Sequence, residues 1–267
     1  MLLLEGAKQP YAWGSRNALP ALLREPADST PVAEIWYGSH PIAPTKIVGG
    51  GTLEEHICSD PLSALGQDTV DRFGQSLPFL MKYVAPARPL SLQVHPSKEI
   101  AVKGYAREEE QGIDRSSPSR SYKDSNHKPE MLMALTDFEA VVGFRAPRKA
   151  REILRDLAAP LARSLFDILD HQTNALGMRT IATQLMDPDT CPDEAAVNEV
   201  VVACRDRIDR GTTPSKRADT IACELGEEYP GDAGAVLSLL LNPVTLRRGE
   251  TLFIPCGHIH EIGRAHV

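Results

Sequence analysis

Three side chains at alternate positions, Ser91, Gln93 and His95, could do chemistry together. A strand sends alternate residues to one face, so a hydroxyl, an amide and an imidazole would stand in a row. That row offers a phosphate donor and two candidate metal ligands. Leu90, Leu92 and Val94 interleave with them and predict an apolar back to the same strand. Taken alone, the stretch reads as a solvated sheet face with His95 an ordinary hydrogen-bonded histidine. The rest of the chain changes that reading.

A second dense run is Tyr122-Lys123-Asp124-Ser125-Asn126-His127-Lys128-Pro129-Glu130-Met131, which leads into the apolar Leu132-Met133-Ala134-Leu135. Pro129 biases Lys128 toward an extended backbone, which would point Lys128 and Glu130 one way and His127 the other. A charged turn does not need so many different functional groups beside an apolar strand. Pro78 to Val84 reads as a buried strand carrying one cation, Lys82. Near the start, Trp13 beside Gly14-Ser15 could line a pocket, whereas Trp36, ahead of Gly38, reads as core packing.

The elements that must position these groups follow from periodicity. Residues 1–55 read as short strands and turns, with a glycine loop at Gly49-Gly50-Gly51. A short helix is expected from Leu53 to Cys58, then a loop to residue 75. Residues 97–121 are charged and polar, predicting a mobile surface loop or a short helix. A strand is expected from Phe138 to Phe144. Residues 148–228 then change character, with apolar helical faces interrupted at Pro160 and a helix starting near Pro192; the pattern predicts about four helices. His171 reads as a helix-end residue. Short apolar strands return at Val236 to Leu241, Val244 to Leu246 and Thr251 to Ile254. The order predicts a mainly β core interrupted by a helical insertion, in place of two domains in series.

Composition bounds the function. The 267 residues can bury a real core, and 42% hydrophobic with 24% charged content is ordinary for a globular chain. The net charge of −7 and the absence of a basic stripe argue against nucleic acid. No apolar run is long enough to span a bilayer, and Met1 to Gly6 lacks the pattern of a signal peptide, so a cytoplasmic protein is expected. Five scattered cysteines without zinc-knuckle spacing read as free, mostly core thiols. An anionic substrate would need a local cluster of cations.

Toward the C-terminus, Gly249, five residues, Pro255, one residue, Gly257, two residues and His260 form a spaced motif. It resembles the second motif of the cupin superfamily, a double-stranded β-helix or jelly roll in which the final histidine is a metal ligand. His258 falls on the same strand face, so spacing alone leaves His258 and His260 open; the cupin pattern selects His260. Longer matches follow. Leu77 to Lys82, Pro89 to Pro96, Tyr122-Lys123-Asp124, Asn126 to Met131, Phe138-Glu139-Ala140 and Gly143-Phe144-Arg145 resemble type I mannose-6-phosphate isomerases. Tyr11 to Ser15, Glu34-Ile35-Trp36 and Gly38 to Pro41 resemble the N-terminal part of that family. The likeness covers residues 5–260.

That resemblance implies an isomerase acting on a sugar phosphate, interconverting mannose 6-phosphate and fructose 6-phosphate through an enediol. It implies one zinc per chain, held by Gln93, His95, Glu130 and His260. It places Lys82 and Ser91 at the phosphate, Trp13 in the pocket wall, and Lys128 and His127 at the reacting carbons, with the base open between those two. Ligand softness alone would also admit manganese, iron or cobalt. The expected organisation is a cupin core at 1–147, a helical subdomain at 148–230, a return to the core at 231–260, and a monomer in solution. The competing readings are a non-catalytic metal-binding cupin that binds a sugar and an iron oxygenase; Gln93 speaks against the second, and His127-Lys128 beside Glu130 against the first.

After His260 the likeness stops. Glu261 to Val267 match nothing in the family, which continues for a further long stretch. One codon choice for these seven residues, GAG-ATC-GGA-AGA-GCA-CAC-GTC, reads as a common sequencing adapter. Residues 261–267 are therefore expected to be non-native, and the chain to be an incomplete, inactive fragment. Amplification of the source locus decides this, because a natural gene encoding the tail and a stop codon would refute it.

Overall fold

The structure, a computed structural model, describes residues 1–265 except 28, 41 and 118, and the backbone alone at 264 and 265. Pro41 and Pro118 of the stretches above, and His266 and Val267 of the tail, lie outside the described residues. The chain forms two compact units, residues 1–88 and residues from 89 onward. The division falls inside the stretch 1–147 that the sequence reads as one piece.

The first unit contains β1 (Leu4–Glu5), β2 (Ala7–Gln9), α1 (Ala18–Leu23), β3 (Glu34–Tyr37), β4 (Lys46–Ile47), α2 (Leu53–Ser59), α3 (Pro61–Leu65), α4 (Gln67–Phe73) and β5 (Met81–Val84). β2, β3 and β5 form an antiparallel sheet in that order, with Trp36 opposite Lys82, and β1 pairs with β4. A small core of Leu19, Ile35 and Ala85 lies beneath the sheet's partners. Helix α2 forms where expected because Thr52 and Glu55 make a reciprocal capping box. The loop expected after it is two short helices instead. Asp60 caps the first, and Gly66 and Gly74, at φ of 81° and 82°, end the two in a conformation other residues resist. β5 is not the buried strand expected: Met81 and Lys82 are exposed.

The second unit contains α5 (Lys98–Glu110), β6 (Glu130–Met133), β7 (Phe138–Phe144), α6 (Pro147–Leu154), α7 (Pro160–His171), α8 (Ala175–Met186), α9 (Glu194–Asp209), α10 (Lys216–Glu228), α11 (Gly234–Ser238), β8 (Leu241–Leu246), β9 (Thr251–Ile254) and β10 (His260–Ala265). β10, β7 and β8 form one antiparallel sheet in that order, and β6 pairs with β9 in another. Across the chain more described residues lie in helices than in strands, so the fold is mixed α and β. The main core is helical, built from residues such as Leu154, Leu165, Leu169, Ile181, Leu185, Val200 and Leu237.

Five helices occupy residues 147–228, one more than the pattern count. Pro160 marks a start, since proline is tolerated at the first helical position. Pro192 stands just outside α9, whose cap is Asp193, accepting from the Ala196 amide at 2.8 Å. His171 does end α7. Of the two alternatives for residues 97–121, the helix forms: Lys98–Glu110 is a regular 13-residue helix. Val236 to Leu241 does not form the expected strand. Its first half is α11, because an apolar run buried on every side carries no period to separate strand from helix.

The stretch around Ser91 departs most. Residues 89–96 form no strand; they meet β10 through an isolated bridge, Gln93 to His260, and through the Leu90 N–H, which donates to the Ile262 carbonyl at 3.3 Å. Pro89 and Pro96 lack amide donors at both ends, so a ladder cannot run on. Val94 is exposed, against the alternation expected. Of the five cysteines, all free, only Cys204 and Cys223 are buried, fewer than expected.

Candidate metal centre

Three elements of the second unit bring His95, Glu130 and His260 together. His95 comes from the extended stretch, Glu130 opens β6, and His260 opens β10. Their ligand atoms all lie within 4.8 Å of one another. His95 Nε2 is 3.3 Å from Glu130 Oε1, and His260 Nε2 is 3.2 Å from Glu130 Oε2. Neither contact has hydrogen-bond geometry. His95 Nε2, His260 Nε2 and Glu130 Oε2 are buried atoms with no hydrogen-bond partner. Buried polar atoms are paired as a rule, so three converging orphans call for a shared partner between them.

The surroundings prepare these groups for a cation. The His260 side chain is 1% exposed, and its Nδ1 lies 2.9 Å from the His258 carbonyl oxygen. Donation from Nδ1 to that carbonyl fixes the tautomer and leaves the Nε2 lone pair facing Glu130. Burial pushes the Glu130 carboxyl up, but the facing His260 and His95 outweigh it and hold it at about 2. Burial pushes His260 down, while the Glu130 carboxylate and the His258 carbonyl push it up and prevail. Two imidazoles and a carboxylate suit a borderline divalent ion.

Spacing left His258 and His260 open; the structure brings His260 to Glu130 and leaves His258 exposed, its Nδ1 3.4 Å from the Cys256 carbonyl oxygen. Gln93 joins through its backbone. It faces His260 across the antiparallel bridge, and directly opposed residues share a face of the pair. Ser91 is exposed. Lys128 is half exposed and pairs with Asp124 at 3.4 Å, and His127 is exposed.

In the first unit, Lys82 Nζ stands 4.5 Å over the Trp36 ring and 3.2 Å from Glu34 Oε2. The same carboxylate oxygen accepts the Trp36 indole N–H at 2.5 Å. The His40 ring meets Trp36 edge-on at 5.0 Å. Trp13 stacks on Tyr11 at 5.7 Å. Sequence reading missed Glu34 as a partner of Lys82. The signal was present, because Glu34 and Trp36 are two residues apart on one strand and must share a face.

Comparison with known proteins follows the same outline. The profile of the phosphomannose isomerase type I catalytic domain matches residues 1–147. The mannose-6-phosphate isomerase of Escherichia coli K12 is 34% identical over 259 residues, covering 95% of this chain and 64% of its own length. That of Rattus norvegicus is 30% identical over 276 residues, covering 94% of this chain and 62% of its own length. The chain thus spans a little under two thirds of these relatives. A crystal structure of mannose 6-phosphate isomerase from Salmonella typhimurium, bound to fructose 6-phosphate and zinc, superposes with a TM-score of 0.87 at 30% identity, over 99% of this chain and 66% of that one. A zinc-bound holo form of mannose 6-phosphate isomerase gives a TM-score of 0.88 at 30% identity with the same coverage.

Proposed function

Because the chain belongs to the type I phosphomannose isomerase family, we propose that its protein is a zinc-dependent isomerase of mannose 6-phosphate and fructose 6-phosphate. The observation that carries this is the cluster of buried, unpartnered ligand atoms on His95, Glu130 and His260. Gln93 completes the proposed ligand set, since it faces His260 across the bridge. Zinc, when bound, supplies a Lewis acid for negative charge developing on sugar oxygens.

The chain's own groups take the remaining tasks. The reaction moves one proton between C1 and C2 of the sugar through an enediol, which requires a positioned base. Lys128 is our first choice and His127 the second, because Pro129 ties both to Glu130 in sequence. Lys82 and Ser91 bind the phosphate, giving an acidic protein the local cation it needs. Trp13 lines the pocket. The strands of the second unit form part of a cupin-type jelly roll, into which residues 148–230 insert as a helical subdomain. We further propose a cytoplasmic monomer, a compartment the free cysteines suit. No described helix is long and apolar enough to cross a membrane.

A coupled isomerase assay with added zinc, on the protein expressed from its complete gene, tests the proposal. Turnover of mannose 6-phosphate that vanishes on chelation and returns with zinc is expected. A protein that binds zinc and sugar phosphate without turnover would be the non-catalytic cupin instead.

A further inference from the structure

We propose that the buried pair Glu108–Arg120 is a positioning device for the segment that carries His127 and Lys128. The inference rests on the proton-transfer role proposed for those two residues. Residues 97–121 read in sequence as a charged, polar surface stretch, yet they contain a buried ion pair. The Arg120 side chain is 0% exposed and that of Glu108 is 6% exposed, with Arg120 Nε 3.3 Å from Glu108 Oε2.

The pair ties the loop that follows α5 to the helix. Glu108 accepts the Ser121 amide at 3.1 Å and the Tyr122 amide at 2.8 Å. Arg120 donates to the Tyr122 carbonyl at 2.9 Å, to the Ile113 carbonyl at 2.5 Å and to Glu109 at 2.7 Å. The backbone of Tyr122 is therefore held at both its N–H and its C=O by two buried ions. Its ring is held too: a Cβ added at Gly104 would lie 2.6 Å from the ring carbons, so α5 passes Tyr122 at a distance only glycine permits.

From that anchor the chain of contacts runs to the reactive residues. Lys98, at the other end of α5, donates to the Asn126 side chain at 2.8 Å. The Asn126 amide donates to Asp124 at 2.7 Å, and Asp124 pairs with Lys128. Helix α5 thus grips both ends of 121–126, directly before His127. Lys128 is half exposed and carries one weak ion pair of its own, so its place depends on the backbone that delivers it. A misplacement of about 1 Å can cost a catalytic group on the order of 100-fold in rate.

The test substitutes Gly104→Ala, which pushes the Tyr122 ring, and Glu108→Gln, which keeps the shape and removes the charge, in the zinc-loaded protein from the complete gene. Lys103→Ala, on the exposed side of α5, is the control. For Gly104→Ala we expect kcat to fall at least tenfold and KM to change less than threefold, with one zinc retained. The pH profile of kcat should shift, and hydrogen exchange should rise in 121–128 but not in β6 or β7. Should Glu108→Gln fail to fold, Gly104→Ala carries the test alone. Unchanged kcat in Gly104→Ala despite faster exchange overturns the inference, as does a parallel loss of kcat, zinc and melting temperature. Absence of turnover in the unsubstituted protein overturns the functional reading itself, a distinct outcome.

Discussion

Gln93 and His260 hold one another by a single pair of main-chain hydrogen bonds, 2.8 Å from the Gln93 amide and 2.9 Å from the His260 amide. That rung ties the segment of Gln93, which lies outside any strand, to β10, whose own pairing with β7 opposes His260 to Val142. His260→Ala should weaken zinc binding by more than about 100-fold, and Gln93→Ala by about 10- to 100-fold. Zinc titration against a competing chelator reads both. Equal affinity in His260→Ala and the unsubstituted protein would remove His260 from the ligand set.

Protons compete with the metal at this centre, and the direction follows from the two shifts. Glu130, held at about 2, stays a carboxylate throughout the ordinary range and contributes no competition above about pH 4. Burial lowers His260, but Glu130 and the His258 carbonyl outweigh it, so the metal-free protein takes up this proton at a higher pH than an ordinary histidine. Zinc affinity should therefore begin to fall at a pH above the usual histidine range, with a proton released on binding. Calorimetry in buffers of different ionisation enthalpy counts that proton. None released at pH 6.5 would contradict the arrangement.

Lys82 stands over Trp36 with its ammonium 3.2 Å from Glu34, and the proposed phosphate contact can be tested at this residue. Lys82→Met should raise KM for the sugar phosphate by about 10- to 100-fold, the worth of one charge-assisted contact, and leave zinc content unchanged. The penalty should shrink at high ionic strength. Steady-state kinetics at two salt concentrations decide it, and an unchanged KM would free Lys82 from the phosphate.

In the helical core, Arg207 of α9 makes a two-pronged contact with Asp219 of α10 and donates to the Ile153 carbonyl at 2.7 Å. Asp219 is fully buried. Asp219→Ala strands the guanidinium and should destabilise the protein by about 3 to 5 kcal/mol, whereas Arg207→Met with Asp219→Leu should recover much of the loss. Denaturant unfolding compares the three; a neutral Asp219→Ala would show that the pair is relaxed or solvated.

Glu261 is 3% exposed in β10, and burial, with Glu224 nearby, raises its carboxyl from 4.5 to about 7. A carboxyl raised on folding makes the folded state bind the extra proton, so stability declines as pH rises from 4.5 through 7. The full penalty, about 3 kcal/mol, is present above that window. In the 267-residue chain, Glu261→Gln should thus melt several degrees higher at pH 8, with the gain fading toward pH 4.5. Parallel melting curves at both pH values test this, and a gain independent of pH would point to packing instead of charge.

His95, Glu130 and His260 lie far apart in sequence, and each was legible only through the local motif it sits in. The strand from Phe138 to Phe144 and the helix α2 were readable from period and caps. The ligand residues were legible from motif likeness, not from periodicity: the expected strand through His95 is an extended segment bounded by two prolines. Val236 to Leu241 was misread because complete burial erases the alternation that marks a strand. The Glu108–Arg120 pair was illegible for another reason. Burial of charge cannot be seen in a run of Glu108-Glu109-Glu110, where one member is inside and its neighbours are in water.

All six helices from α6 to α11 lie in the chain between Glu130 and His260. The helical core therefore closes a long loop whose ends meet at the cluster. Its folding sets the effective concentration at which His260 is presented to the other two side chains. Metal affinity becomes a reporter of helix packing far from any ligand. By the same linkage, a bound ion stabilises helices it never touches.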